Sequence, residues 1–429
     1  MVPNSQVMQA VEALDYRVTV GDVATQSGLD VQTVERELLA LASVGGGHLQ
    51  ASTAGELAYA FPQNFRAILR QKSRQLRRRE FWQKVGSILF AGIRLSFGIL
   101  LLISIVLVYV AILVAVISAS SQKDGSSNNR RRSSSYNNFY FDIRPFWYLF
   151  FNLRRQTQAR WHRAQTAQPA NNSPLNFLEA VYSFLFGDGD PNADLEEKRW
   201  QLIGGAIRAN DGVAIAEQVA PYLDELGTGD TLEYEDYMLP VLLRFNGVPE
   251  VSPRGEMIYR FPELQVVAEE RQSRTLPQFL QASLQKFSIA SAQQIMLAIV
   301  LGVANLIGIA ILGSLLGDVD IVGQLGGFYG FVSSIYWLLV VYGVAFLTIP
   351  IGRYFWIQRQ NQSIQAGNTA RQDRAAQLAN AEDGGLQQKL NFARKFSRST
   401  TIADDDILYT SEQDLAAQEL DRLQQADEP

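Results

Sequence analysis

The stretch Ser52–Pro62, STAGELAYAFP, returns at Ser252–Pro262 as SPRGEMIYRFP, with Ser, Gly, Glu, Tyr, Phe and Pro at matching places. Outward from the first copy, SQVMQAVEALDYRVTVGDVATQSGLDVQTVERELLALASVGGGHLQ reads as helix, short strand, helix, turn, helix. Ala24, Gly28 and Val34 have the spacing of a helix-turn-helix: a small residue lets helices cross, glycine makes the turn, and an apolar residue packs beneath. The Ser-x-x-Gly-Glu phrase then supplies a two-stranded wing, so residues 4–65 read as a winged-helix-like domain. Before the second copy, LEEKRWQLIGGAIRANDGVAIAEQVAPYL gives two helices joined at Asn210–Gly212. EYEDYMLPVLLRFNGVPEV gives a third, which Pro240 interrupts. Leu239, Leu242 and Gly247 share the offset of 200 with Leu39, Ala42 and Gly47, so residues 194–265 read as a diverged second copy.

Three long apolar runs separate and follow these domains. Phe97–Ser118, FGILLLISIVLVYVAILVAVIS, holds no charge and is long enough to cross a bilayer. Runs at 295–316 and 328–351 are joined by GDVDIVGQLGG, too short for a domain, and predict a helical hairpin. The third ends near Tyr354 and Trp356, placed as interfacial anchors. Small residues recur four apart at Ala304/Gly308, Gly313/Gly317, Gly323/Gly327 and Gly326/Gly330, which lets helix backbones approach closely. Asn305, with Arg94 just before the first run, is the only polar signal of a transport path in these spans, which disfavours a transporter. The expected fold class is mainly α with small β wings: two winged-helix-like domains and about three transmembrane helices.

The net charge of -5 is unevenly spread. Eight basic residues and one acidic residue lie between Arg66 and Lys84, and the chain ends in an acidic stretch. Residues 66–96 read as a basic juxtamembrane helix. Its Arg74, Arg77, Arg78, Arg79 and Lys84 are candidates for anionic lipid headgroups, at about 1 kcal/mol each. Residues 119–138 read as a polar, disordered linker. Residues 139–193 form an aromatic interfacial connector beginning FYFDIRPFWYLFFNLRR, and residues 352–429 a polar helical tail that could dock on the winged helices or a partner. The polar, helix-forming start predicts no cleaved secretory signal.

The chain has no cysteine and only two histidines, His48 and His162, which excludes thiolate sites, disulfides and histidine-rich metal centres. In FGDGDPNADLEEKRW, Asp188, Asp190, Asn192 and Asp194 alternate as in half a calcium loop. Ala193 replaces the turn glycine and Arg199 the bidentate glutamate, so the stretch reads as a turn capping the next helix through Asn192 or Asp194. There is no phosphate loop or nucleophile elbow, and the expectation is that the protein is not an enzyme and holds no cofactor, metal or catalytic residue.

A DNA-reading helix should offer basic or amide side chains. The first candidate helix carries Asp30, Glu35 and Glu37 against Arg36, and in the second, EYEDYMLPVLLR, Glu233, Glu235 and Asp236 crowd the N-terminal end. Such acidity repels phosphate, so nucleic acid is disfavoured and protein contact favoured. Candidate partner-binding residues are Glu35, Glu37, Glu56, Glu235, Asp236 and Glu256.

YRVTVGDVATQSGLD, SFLFGDGDPN, AEQVAPYL and LPVLLRFNGVPEVSPRGEMIYRFP resemble an uncharacterised membrane-protein family of cyanobacteria and chloroplasts. Its plant members carry an iron-sulfur cluster biosynthesis label, which a chain without cysteine cannot serve by ligating a cluster in the usual way. The resemblance implies a cyanobacterial plasma or thylakoid membrane, or a chloroplast envelope.

The expected function is a membrane-anchored protein-interaction scaffold or assembly factor, with membrane lipid and membrane or membrane-associated proteins as partners. A membrane-tethered transcription regulator is the alternative, and a transporter subunit the third. The acidic connector prefers the outer side, which places the central loop and the tail, with Arg353, Arg359 and Arg371, inside. The Arg66–Lys84 run also prefers the inside. A single crossing satisfies only one, so the reading favours a first run that turns back, with the two winged helices sharing a compartment and pairing as a pseudo-dimer.

Overall fold

The computed structural model describes residues 4–72, 74–121, 177–269, 275–317, 326–380, 384–412 and 418. The chain is mainly helical with small sheets. It divides into two compact units: Met1–Leu89, Gly189–Gln285 and Trp356–Pro429 make one, Phe90–Asp188 and Lys286–Phe355 the other.

In the first unit, α1 (Ser5–Ala13), β1 (Arg17–Val18), α2 (Val20–Ser27), α3 (Val31–Gly45), β2 (His48–Ser52) and β3 (Leu57–Ala60) form one motif. The sequence caps its own helices. Asn4 accepts the Gln6 N–H at 2.9 Å, Thr19 and Asp22 form a reciprocal capping box, and Asp30 accepts from Thr33 at 2.7 Å. Gly28 and Gly46, at φ 70° and 75°, end α2 and α3 in the left-handed region. After α4 (Phe65–Lys72), α5 (Arg74–Ser121) and α6 (Phe177–Phe186), a second motif follows. It comprises α7 (Leu195–Ala209), β4 (Val213–Ala214), α8 (Ala216–Val219), α9 (Asp230–Glu233), α10 (Leu239–Phe245), β5 (Val248–Val251) and β6 (Met257–Arg260).

Both motifs order their strands alike, β1-β3-β2 and β4-β6-β5, all antiparallel. Their registers coincide: His48 pairs with Ala60 and Val248 with Arg260, Ala51 with Leu57 and Val251 with Met257. The repeated phrase specifies this hairpin. Ser52 and Ser252 Oγ each accept the N–H of the glutamate four residues on at 3.1 Å, and Gly55 and Gly255 turn the tip at φ 84° and 86°. The paired tyrosines and phenylalanines are buried.

The motifs share one hydrophobic core, in which Val11, Val34 and Leu38 join Ile203, Phe245 and Phe261. At the junction α2 meets α7. Gly28 and Gly204 bring the backbones close: a Cβ would meet Trp200 at 3.1 Å and Thr25 at 3.2 Å. Asp22, with its side chain fully buried, pairs Oδ1 with Arg208 Nη1 at 2.6 Å. Its Oδ2 accepts the Thr19 and Ala268 N–H groups at 2.8 and 3.1 Å. Arg244 Nε donates to the Gly28 carbonyl at 2.7 Å while its guanidinium lies 4.4 Å from the centre of the Trp200 ring.

Several expectations need correction. Pro240 does not interrupt a helix; it stands in the first turn of α10, where no N–H is needed. The break comes earlier, at Glu235, whose φ of 55° separates α9 from a 3-10 turn at Asp236–Met238. Asp194 occupies the N-cap of α7 without a side-chain bond, and Asn192 exchanges hydrogen bonds of 2.8 Å with the Ser283 backbone instead. The region 352–429 is not wholly helical. Beyond the helices Gly326–Ala379 and Gly384–Ala393 it holds β8 (Thr400–Thr401), parallel to β7 (Val266–Val267), and β9 (Ile407–Thr410), antiparallel to β2. The β-branched and aromatic ILYT suits a strand, and the edge of β2 gives it a ladder.

The second unit is a bundle of α5 from Phe90 onward, α6, α11 (Ala292–Leu316) and α12 (Gly326–Ala379) as far as Phe355. Three helices are long and apolar enough to cross a membrane, at 88–117, 292–316 and 327–379. The first run does not turn back: α5 is one helix, and Ile99–Ser121 contains no Gly or Pro at which to reverse. The helix begun at Gly326 likewise continues past Pro350 to Ala379. α5 and α11 run parallel, with Ser104 Oγ donating to Asn305 Oδ1 at 3.1 Å and Gly308 against Val108. α12 opposes α11, with Gly302 against Phe346 and Gly343 against Ile309. Of the small residues expected at contacts, Gly308 and Gly313 meet neighbouring helices; Gly327 and Gly330 face open space. At one end, Asp188 accepts from Ser183 at 2.6 Å, from the Ile289 N–H at 2.9 Å and from Arg94 at 3.3 Å. Arg353 donates there to the Ser183 and Phe184 carbonyls at 3.1 and 2.8 Å. The first residues of the expected linker, 119–121, instead complete α5, while 122–138, and residues 139–176 of the connector, lie outside the described residues.

Candidate interaction face

Within the first unit, the third helix and hairpin of each motif present an outer face. On α3, Glu35 is exposed and Glu37 accepts the Asn4 N–H at 2.9 Å, fastening the start of the chain. Tyr59 is raised above the ordinary tyrosine pKa by burial and by the charge of Glu35. Glu56 closes the first hairpin tip through its backbone, its N–H donating to Ser52 Oγ and its carbonyl accepting the Ser52 N–H at 2.8 Å. Glu256 repeats this and adds a side-chain bond of 3.3 Å from Ser252 Oγ. These glutamates are therefore built into the turns that carry them.

Glu235 belongs to a different arrangement. Its Oε1 receives Lys389 Nζ at 2.6 Å and its Oε2 the Tyr259 hydroxyl at 2.7 Å, while Lys389 also bonds both Glu217 oxygens at 2.9 and 3.0 Å. Burial works to lower the Lys389 pKa, but hydrogen bonds and charge from Glu235 and Glu217 overcome it and raise the value. Tyr259 is raised by burial, then by its bond to Glu235, and so stays a donor. A charged, fully engaged lysine and a neutral tyrosine act as a clasp. The clasp holds α13 (Gly384–Ala393) to the second motif, where Leu386, Leu390 and Phe396 pack on Val213, Ile215 and Ile258. Lys389, Glu217 and Tyr259 were not singled out in the sequence; only Tyr259 carried a signal, as part of the repeated phrase.

The six carboxylates expected to bind a partner do not converge. Glu35 and Glu37 lie on α3, Glu56 and Glu256 at the hairpin tips and Glu235 in the clasp. Asp236 is exposed beside Glu235. Helix α5 carries Arg74, Arg77, Arg78, Arg79 and Lys84, whose side chains are outside those described. Among the described residues no group of three or more His, Asp or Glu side chains could hold a metal ion.

The two outer faces differ. β2 pairs with β3 on one side and β9 on the other, whereas β5 is the last strand of its sheet among the described residues. Beside that open edge Leu239, Leu243, Val248 and Val251 are exposed at 57%, 73%, 41% and 62%.

An uncharacterised chloroplastic protein of Arabidopsis thaliana, At5g03900, is 37% identical over 426 residues, which is 96% of this chain and 79% of that protein. This chain belongs to its family. The match covers nearly the whole chain, so it takes in both motifs and the bundle rather than one module. No family model matches the chain, and no solved structure does.

Proposed function

We propose that the protein is an integral membrane scaffold or assembly factor of a chloroplast-type membrane, whose two winged-helix modules arose by duplication and bind other proteins. The observation carrying this reading is that two motifs of one strand order and one register are fused through a single core and present outer faces that are acidic or apolar. Acidic third-helix regions repel a phosphate backbone, and exposed apolar side chains suit protein contact. The three apolar helices supply the membrane anchor, and the chloroplastic relative supplies the compartment. The shared core supports a reading in which both modules lie in one compartment. The work such a protein does is binding and positioning rather than catalysis.

The test is in-membrane crosslinking with quantitative mass spectrometry on the full chain, with a variant whose α3 and α10 faces carry reversed polarity as control. The scaffold reading expects protein partners that the control loses. Absence of any enriched protein, together with salt-sensitive DNA binding by the full chain, would transfer the assignment to a tethered regulator.

A further inference from the structure

The two copies diverge most where their faces differ in cover. In the first motif, the positions equivalent to Leu243, Val248 and Val251 are Ser43, His48 and Ala51, and its edge strand is covered by β9. In the second, the edge is open and carries the exposed Leu and Val side chains. Apart from Leu39, which matches Leu239 and is also exposed, the large apolar groups thus stand on the copy whose edge strand the described residues leave uncovered. Leu239 and Leu243, four apart, share one side of α10, and β5 adjoins through Asn246 and Gly247.

The edge itself is a poor template for another strand. In β2, the Leu49 N–H donates to Ser411 Oγ and its carbonyl accepts the Ser411 N–H, each at 2.9 Å. Its equivalent in β5 is Pro249, which has no N–H to offer. An occupant must therefore bind through side chains. The rim sets its charge: Asp230, Glu233 and Asp236 are exposed in the approach to α10. The basic groups nearby are engaged elsewhere: Arg244 is drawn onto Gly28 and Trp200, Arg260 meets Glu250 at 3.6 Å, and Arg254 donates to Gln388.

We infer that the outer side of α10, beside the open edge of β5, is a docking site for a basic amphipathic helix of a partner protein, whose apolar residues at helical spacing seat on Leu239 and Leu243 while its Lys and Arg meet the acidic rim. This rests on the protein-binding reading above. It excludes a second strand as occupant, because of Pro249, and an anionic lipid surface, because of the acids.

A photoreactive benzoylphenylalanine at Leu239 in the full chain, activated in native membranes, identifies the occupant by the peptide it captures. The expected adduct lies on a partner segment with basic and apolar residues three and four apart. Leu243→Glu should lower its yield about tenfold, with Leu243→Met retaining it, since charge in the centre of an apolar contact is costly. Leu243 is exposed, so an unchanged melting temperature accompanies either variant. An adduct on lipid, on this chain, on an acidic segment, or one indifferent to Leu243→Glu overturns the inference. The same probe at Leu39 on the first motif separates the two readings: protein adducts there and none at Leu239 refute this site alone, whereas none at either position refutes the scaffold as well.

Discussion

Asp22 gives the sharpest test of the fused core, because one carboxylate serves both motifs. Asp22→Ala removes the capping acceptor of Thr19, worth about 1 kcal/mol. It leaves the Ala268 N–H buried without that acceptor, at about 1–3 kcal/mol. It also strips Arg208, whose side chain is only 20% exposed, of its counter-charge; breaking such a buried pair costs about 3–5 kcal/mol. The penalties overlap, since the same two oxygens supply all three, and a loss of about 4 kcal/mol is expected. For a unit of this size that is a fall of roughly 10 °C in melting temperature, read by intrinsic fluorescence of the full chain in detergent. Asp22→Asn, which keeps the shape and one acceptor, should lose about half as much. If Asp22→Ala melts within about 2 °C of the wild type, the carboxylate does not join the motifs and the argument from a shared core fails.

Gly47→Ala and Gly247→Ala should each destabilise by about 1–3 kcal/mol through overpacking, since the added Cβ would stand 2.6 Å from Phe61 and 2.5 Å from Phe261; chemical denaturation in which only one copy responds would show that the motifs are not equivalent in packing. The clasp has a pH sign. Lys389 and Tyr259 are raised above their ordinary values of 10.5 and 10.0, so their stabilisation is complete below those values and is lost as pH rises past them. Hydrogen-exchange protection factors across residues 384–396, with the intrinsic base-catalysed rate divided out, should therefore stay high through neutral pH and fall in strong alkali, and Lys389→Met should lose that protection already at neutral pH. Labelling by a membrane-impermeant maleimide of Thr53→Cys and Arg254→Cys, both exposed hairpin-tip positions in a chain without cysteine, should give the same sidedness; opposite sidedness would contradict a common core. Ser104→Ala should weaken the bundle by about 0.6 kcal/mol, and a loss several times larger would mean that Asn305 does more than bridge α5 and α11.

The first motif was legible because its signals are local. Thr19 with Asp22, Asp30, Gly28 and Gly46 mark helix ends within one turn of themselves, and the apolar runs announce long helices by composition alone. The hairpins were legible because one phrase specifies the same turn twice. What escaped was set at long range. Glu235 adopts a left-handed backbone in a clasp completed by a lysine 154 residues away, and no local pattern marks that partner. β9 reads as part of a polar tail until β2 supplies a ladder across more than 350 positions. The straight course of α5 was obscured by charge rules that weigh flanks, whereas the absence of Gly and Pro from Ile99 to Ser121 was the better guide.

The way α2 meets α7 also governs how far the arrangement can grow. The second helix of one motif rests on the first helix of the other, a head-to-tail contact rather than the self-matching contact of a twofold pair, and such contacts do not close on themselves. In the second copy, the corresponding region is α8 and the turn after it. Leu280 donates its N–H to Pro221, Tyr222 donates to the Pro277 carbonyl, and Arg374 donates to the Ala220 and Leu223 carbonyls. The surface that would receive a third copy is taken by the chain itself. Residues 275–285 and the far end of α12 thus occupy, on the second motif, the side that corresponds to the one by which the first motif touches it, and leave that side closed to a further head-to-tail contact.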